Sequence, residues 1–178
     1  MRLQLQLHKP RLYMAISSPK LEIVPFTGKK GLFSAVSPTE RTKKILIDVA
    51  KQIGFDVDPD SLHITVMYSK ENCTKDGVSC EPDRMFRCRF KKIQHWNGHD
   101  DAGYVSVAIE SPELQAEHER LKSFGCVPTF SPYEPHVTLW TGAKLTEDLK
   151  KRMAEVTHNL QGTPELLFGN QFIGDQDN

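Results

Sequence analysis

Two short stretches of the sequence share a pattern of residue types that can perform acid–base chemistry. Residues 63–69 read HITVMYS and residues 136–142 read HVTLWTG, so each combines a histidine with a threonine two positions later. Histidine has an unperturbed pKa near 6.5, so it can accept or donate a proton near neutral pH. A threonine hydroxyl can donate a hydrogen bond to an oxygen on which negative charge develops. Together the two stretches offer a base, an acid and two hydrogen-bond donors.

The alternation of these stretches predicts two β-strands. Aliphatic and β-branched residues recur with a period of two, which is typical of a strand with one buried face. Positions i and i+2 project from the same face, so His63 lies beside Thr65, and His136 lies beside Thr138. The aliphatic residues between them face the core.

The sequence that precedes each stretch repeats as well. A single histidine on a strand is more often structural than catalytic, but here residues 31–36 (GLFSAV) begin 32 residues before His63, and residues 103–108 (GYVSVA) begin 33 residues before His136. A Ser-Pro pair and a helical pattern follow in both cases. The chain therefore uses the order strand, helix, His-x-Thr strand twice.

Capping residues predict where the helices begin. Ser37 is expected as the N-cap of the first helix, with Pro38 at the first helical position and Glu40 completing a capping box. Ser111 starts the second helix in the same way. A third helix is expected over residues 146–160.

Residues 1–30 form an N-terminal extension outside the repeat. They hold six Lys/Arg and one Glu, whereas residues 31–178 hold 17 Lys/Arg and 22 Asp/Glu, and the whole chain has a formal net charge of zero. No overall field attracts nucleic acid, so anion binding must depend on local groups. An extra strand pair, an oligomer arm and a flexible leader all fit this extension.

Residues 85–96 alternate as a strand with a basic face, which consists of Arg87, Arg89 and Lys91. This face is either a solvated surface or a wall that steers phosphates. Residues 70–84 are expected to form a loop, and residues 166–173 a last strand.

The cysteines and the apolar content indicate a cytoplasmic protein. Cys73, Cys80, Cys88 and Cys126 show no CxxC spacing, so free thiols in a reducing cytosol are expected. No apolar run approaches the roughly 20 residues of a membrane span, and we expect no membrane association. The N-terminus shows no signal-peptide core.

A cluster of metal-ligand residue types lies near one turn. His95, His99, Asp100 and Asp101 crowd the turn at Asn97-Gly98. Polar turns commonly have this composition, so we expect no metal and no cofactor.

The reaction that suits two imidazoles and two hydroxyls is in-line transfer at phosphorus without a metal. One histidine removes a proton from a ribose 2′-OH or from water, and the other protonates the leaving oxygen. No Walker loop, dinucleotide fingerprint or Ser-His-Asp order competes with this interpretation.

Two His-x-Thr motifs 73 residues apart, each ending a repeated β-α-β half, resemble the two-histidine (2H) phosphoesterase superfamily. The resemblance covers roughly residues 31–173. It implies an α+β, bilobal, pseudo-twofold fold in which antiparallel sheets line a central groove. The domain would span residues 31–178, with one lobe at about 31–84 and the other at about 103–173.

Within that superfamily the compact length and the motif HITVMYS most resemble those of the phage anti-CBASS phosphodiesterases, which cleave the cyclic oligonucleotide messengers of bacterial immunity. The resemblance thus implies a cyclic oligonucleotide or a short RNA as substrate, and the host cytoplasm as location. There are two alternatives. One is an enzyme that processes RNA ends carrying a 2′,3′-cyclic phosphate or a 2′–5′ linkage, and the other is a non-catalytic protein that sequesters nucleotides. The sequence does not indicate the oligomeric state.

Aromatic residues near the motifs are candidates for stacking on nucleotide bases. Trp140 is two residues beyond Thr138 and should share its face. Tyr68 is three residues beyond Thr65, so a regular strand would turn it away. Phe33 is a third candidate, and packing in the core is the alternative for all three.

Overall fold

The computed structural model describes residues 31–71, 73, 78–81, 83–97, 103–163 and 165–175. The predicted extension over residues 1–30 lies outside these ranges. The elements, in chain order, are β1 (Leu32–Pro38), α1 (Glu40–Ile53), a 3₁₀ turn (Pro59–Ser61), β2 (Ile64–Ser69), β3 (Phe86–Trp96), β4 (Gly103–Glu110), α2 (Pro112–Ser123), β5 (His136–Ala143), α3 (Glu147–Asn159) and β6 (Leu166–Asp175). The predicted α+β class is confirmed.

The six strands of the described residues form a closed antiparallel barrel in the order β1-β2-β5-β4-β3-β6. The barrel consists of two three-stranded halves, β6-β1-β2 and β3-β4-β5. The first half contains the unit β1-α1-β2 and the second contains the matching unit β4-α2-β5, so the predicted repeat is confirmed. Two seams join the halves. The seam between β3 and β6 has three residue pairs, whereas the seam between β2 and β5 has one pair, Ile64 with Val137.

One hydrophobic core packs the three helices against one face of the strands. Ile64, Val66 and Val137 are fully buried in this core, together with Leu46 of α1 and Leu114 of α2. The residues that alternate with them on β2 and β5 are therefore directed to the opposite face of the sheet.

The predicted start of α1 is wrong by two residues, and the reason is the neighbouring strand. Ser37 and Pro38 pair with β6, at Gly169 and Phe168, so both stay extended. The N-cap is Thr39, whose hydroxyl accepts a hydrogen bond from the backbone of the first turn. The other predicted helix starts are confirmed, since Ser111 caps α2 and Thr146 caps α3.

The expectation of four free thiols is wrong for two of them. Cys73 and Cys126 form a disulfide, with their Cα atoms 4.2 Å apart. Cys80 and Cys88 are free. The two cysteines are 53 residues apart in sequence. They come together because the chain before β5 runs back along the end of β2. Among the described residues, no helix is both long and apolar enough to cross a bilayer.

Candidate active site

The four residues of the two motifs converge around the single residue pair that joins β2 to β5. Ile64 pairs with Val137 in antiparallel register. In such a register the residue after one partner faces the residue before the other. His63 therefore lies across the seam from Thr138, and Thr65 lies across from His136. By this register each histidine lies opposite the threonine of the other half, and all four side chains are half-buried.

Both histidines are held by the same backbone contact. Nδ1 of His63 donates to the carbonyl of Ser61 at 2.8 Å, and Nδ1 of His136 donates to the carbonyl of Glu134 at 2.8 Å. A carbonyl only accepts, so Nδ1 carries the proton in both rings. In the neutral rings Nε2 is then the unprotonated nitrogen, which is the atom that can exchange a proton with a substrate.

The surroundings of His63 favour its neutral form. Burial lowers the pKa of His63, and the charge of His136 lowers it further, whereas the hydrogen bond to the Ser61 carbonyl opposes the shift. His63 therefore stays unprotonated to a pH below the ordinary value of 6.5. A neutral imidazole at neutral pH is suited to accept a proton.

A β-bulge brings Tyr68 to the same face as Phe33 and His63. The pairing of β1 with β2 shifts register after Thr65, and Tyr68 then lies directly opposite Phe33. The extra residue reverses the alternation, so the expectation that Tyr68 turns away is wrong. The ring of Phe33 lies edge-on to both neighbours, 6.2 Å from His63 and 6.4 Å from Tyr68 between centroids.

A second bulge directs Trp140 away from the face that carries Thr138. Thr138 pairs with Ser106, but the register then shifts and Trp140 pairs with Val105, which is fully buried in the core. The expectation of a shared face is therefore wrong. The indole stacks on Phe55 instead, at 5.3 Å between centroids.

Trp96 is the aromatic residue beside the second histidine, and the sequence pattern did not reveal it. Its Nε1 donates to Oγ of Ser106 at 3.0 Å, and its ring lies 6.1 Å from that of His136. A register shift after Phe90 breaks the alternation that would have placed Trp96 by counting. Its position at the end of an alternating strand was the available signal.

A family model described as Anti-CBASS protein Acb1 matches residues 30–167, which include both motifs. The chain belongs to the Acb1 family. A curated member, the Anti-CBASS protein Acb1 of Vibrio phage KVP40 (isolate Vibrio parahaemolyticus/Japan/Matsuzaki/1991), is 27% identical over 121 residues, which are 67% of this chain and 78% of the relative. Among solved structures, TT0787 of Thermus thermophilus aligns with a TM-score of 0.49 and 16% identity, over 80% of this chain and 82% of that one.

In this member of the Acb1 family the basic face of β3 is exposed. Arg87, Arg89 and Lys91 all face solvent, and the guanidinium of Arg87 lies 3.8 Å from the carboxylate of Glu165. The exposure of these side chains supports the interpretation of the basic face of β3 as a solvated surface. Nε2 of His95 donates to the carbonyl of Ala143 at 2.9 Å.

The described residues contain no group of three or more side chains able to hold a metal ion. The other candidates of that turn, His99, Asp100 and Asp101, lie outside the described ranges.

Proposed function

We propose that this protein is a metal-independent phosphodiesterase that cleaves 3′–5′ bonds of cyclic oligonucleotide messengers and thereby counters CBASS. The observation that supports this most directly is the crossed arrangement of two imidazoles and two hydroxyls around one residue pair. Membership of the Acb1 family supports the biological role.

The proposed reaction is an in-line transfer in which the substrate supplies the nucleophile. Nε2 of His63 removes the proton from a ribose 2′-OH, and the 2′ oxygen forms a bond to the adjacent phosphorus. The bond from phosphorus to the 5′ oxygen breaks, and Nε2 of a protonated His136 gives that oxygen a proton. The products are a linear strand with a 2′,3′-cyclic phosphate at one end and a 5′-OH at the other.

The two threonines are proposed to stabilise the negative charge that develops on the phosphate. Because Thr138 faces His63 and Thr65 faces His136, a phosphate between the imidazoles meets one hydroxyl from each side. Donors that are already oriented toward developing charge need no reorganisation during the reaction.

The aromatic side chains are proposed to bind two bases. Phe33 and Tyr68 lie on the His63 side, and Trp96 lies on the His136 side. Stacking tolerates different bases because every base has a π-face. A pseudo-twofold site with aromatic side chains in each half suits a cyclic substrate with two similar nucleotides. Trp140, stacked on Phe55, is not needed for stacking in either half.

The test is an incubation in EDTA with cyclic dinucleotides, cyclic trinucleotides and RNA ending in a 2′,3′-cyclic phosphate, with products identified by mass. We expect a cyclic dinucleotide or trinucleotide to be linearised with no change in mass, since a transesterification adds no atoms. Cleavage of the RNA ends alone would favour the RNA-end alternative. Tight binding without any product would favour sequestration.

The proposed location is the host cytoplasm, where such messengers act. Disulfides are uncommon in that compartment. The backbone of Thr129 donates to the carbonyl of Tyr68, and the hydroxyl of Tyr133 donates to the carbonyl of Thr65. These two hydrogen bonds would then hold the chain before β5 in place without the bond from Cys73 to Cys126.

Replacing either threonine by valine is expected to slow cleavage by about 10²-fold, because one donor to the developing charge is lost. Thr65→Val and Thr138→Val keep the β-branched shape, so both variants should remain folded. The measurement is single-turnover cleavage of a cyclic dinucleotide by each variant. Thr65→Ser and Thr138→Ser retain the hydroxyl and should stay within a few-fold of the parent. Parent-like rates in both valine variants would leave the hydroxyls with a packing role only.

A further inference from the structure

Two consecutive carbonyls of β2, those of Thr65 and Val66, receive hydrogen bonds from side chains outside the barrel. The hydroxyl of Tyr133 donates to the carbonyl of Thr65 at 3.1 Å. Nδ1 of His118, on α2, donates to the carbonyl of Val66 at 2.7 Å. The two donor rings stack on each other, with centroids 4.2 Å apart and planes 3° from parallel.

These donors lie where the sheet gives β2 least support. The ladder between β2 and β5 consists of the single pair Ile64–Val137, and the bulge leaves Val66 without a partner in β1. Buried carbonyls need donors, and Tyr133 and His118 provide them. Burial raises the pKa of the Tyr133 phenol, so the hydroxyl keeps the proton that it donates.

Tyr133 also belongs to the segment that delivers the second histidine. It precedes Glu134, whose carbonyl fixes Nδ1 of His136. Its own carbonyl accepts a hydrogen bond from Gln115 of α2 at 3.1 Å. One side chain thus links the backbone of Thr65 to the backbone that orients His136.

We propose that Tyr133, held in place by the ring of His118, is a positioning residue that sets Thr65 and His136 relative to each other. It acts through the two backbones and does not touch the substrate. This inference rests on the proposed function, because the distance that Tyr133 maintains is the one that a phosphate must bridge. A displacement of about 1 Å at such a site can cost up to 10²-fold in rate.

The test is Tyr133→Phe, which keeps the ring stacked on His118 and removes only the hydroxyl. We expect kcat to fall by roughly tenfold with KM nearly unchanged, since the loss affects alignment and not contact with the substrate. The matched control is Thr157→Val, which removes a hydroxyl that accepts from the backbone of Ile93 on β3 at 3.0 Å. The control should lower the melting temperature without changing kcat. An unchanged kcat in Tyr133→Phe would overturn the proposal.

A double-mutant cycle separates positioning from a general loss of stability. If Tyr133 acts through Thr65, Tyr133→Phe should cost little when Thr65 is already valine, because coupled residues are non-additive. Independent, multiplicative losses would contradict the proposal.

A readout that does not need activity keeps this test separate from that of the proposed function. The Thr65 methyl signal and the His136 ring signals should shift in NMR spectra of Tyr133→Phe and should not shift in Thr157→Val. A parent protein that cleaves nothing would defeat the proposed function alone, whereas unmoved signals would defeat the positioning role alone.

Discussion

His63→Ala and His136→Ala should each lower the rate of cleavage by about 10² to 10⁴-fold, the usual effect of losing a general acid or base. Both imidazoles are half-buried, and the Nδ1 of each donates to a carbonyl two residues earlier, so their removal should leave the fold intact. Single-turnover cleavage of a cyclic dinucleotide measures the effect. His158→Ala is a matched control, because His158 is exposed near the end of α3, and it should match the parent.

The two variants should differ when the leaving group is changed. When sulfur replaces the bridging 5′ oxygen of the substrate, the leaving group is a thiolate, which needs no proton. Such a substrate should restore cleavage by His136→Ala and not by His63→Ala. The lowered pKa of His63 further predicts that the acid limb of the parent pH–rate profile lies below 6.5. Restoration of His63→Ala in place of His136→Ala would exchange the two roles. Near-parent rates in either variant would refute acid–base catalysis by that pair.

The motifs could be located from sequence because they depend on local alternation. A histidine and a threonine two residues apart on a strand must share a face, and the repeat placed both strands correctly. The crossed geometry, however, follows from the register between β2 and β5, which is one long-range pair. The sequence does not encode such a pairing in any short window.

The aromatic residues illustrate the limit of counting along a strand. Register shifts in the pairing of β1 with β2 and of β4 with β5 turned Tyr68 toward the site and Trp140 away from it. A third shift, in β3, prevented the orientation of Trp96 from being predicted by counting along the strand. A single extra residue reverses every later side chain, and no turn signal or glycine marked these positions.

The segment between α2 and β5 was the least predictable part of the site. A segment rich in proline is typically irregular, but its contacts with β2 and with Cys73 beyond β2 are tertiary. They include the disulfide from Cys126 to Cys73, a backbone hydrogen bond from Thr129 to Tyr68 at 2.8 Å and the hydrogen bond from the hydroxyl of Tyr133 to the carbonyl of Thr65. Each depends on how the segment packs, so composition alone suggested free thiols and gave Tyr133 no special role.

A cyclic dinucleotide that lacks the 2′-OH next to the scissile bond should bind but resist cleavage. The site holds two imidazoles and two hydroxyls, and each role is filled if the ribose provides the attacking oxygen. An adjacent 2′-OH is already positioned, which removes most of the entropic cost of bringing in a second reactant. A water molecule would have to be held in line by the side chains around Ile64 and Val137, which the proposed mechanism already uses to bind the phosphate.

The measurement is a time course of the ribo and 2′-deoxy compounds side by side in EDTA, with binding of both followed by calorimetry. We expect linearisation of the ribo compound only, with a 2′,3′-cyclic phosphate as its first product, and dissociation constants within about tenfold of each other, because stacking on Phe33 and Trp96 does not involve the 2′ position. A 3′-deoxy, 2′–5′ linked compound is the matched control, since it also lacks the neighbouring hydroxyl and should resist equally. Equal cleavage of the ribo and 2′-deoxy compounds would make water the nucleophile, and His63 would then be the base that activates it.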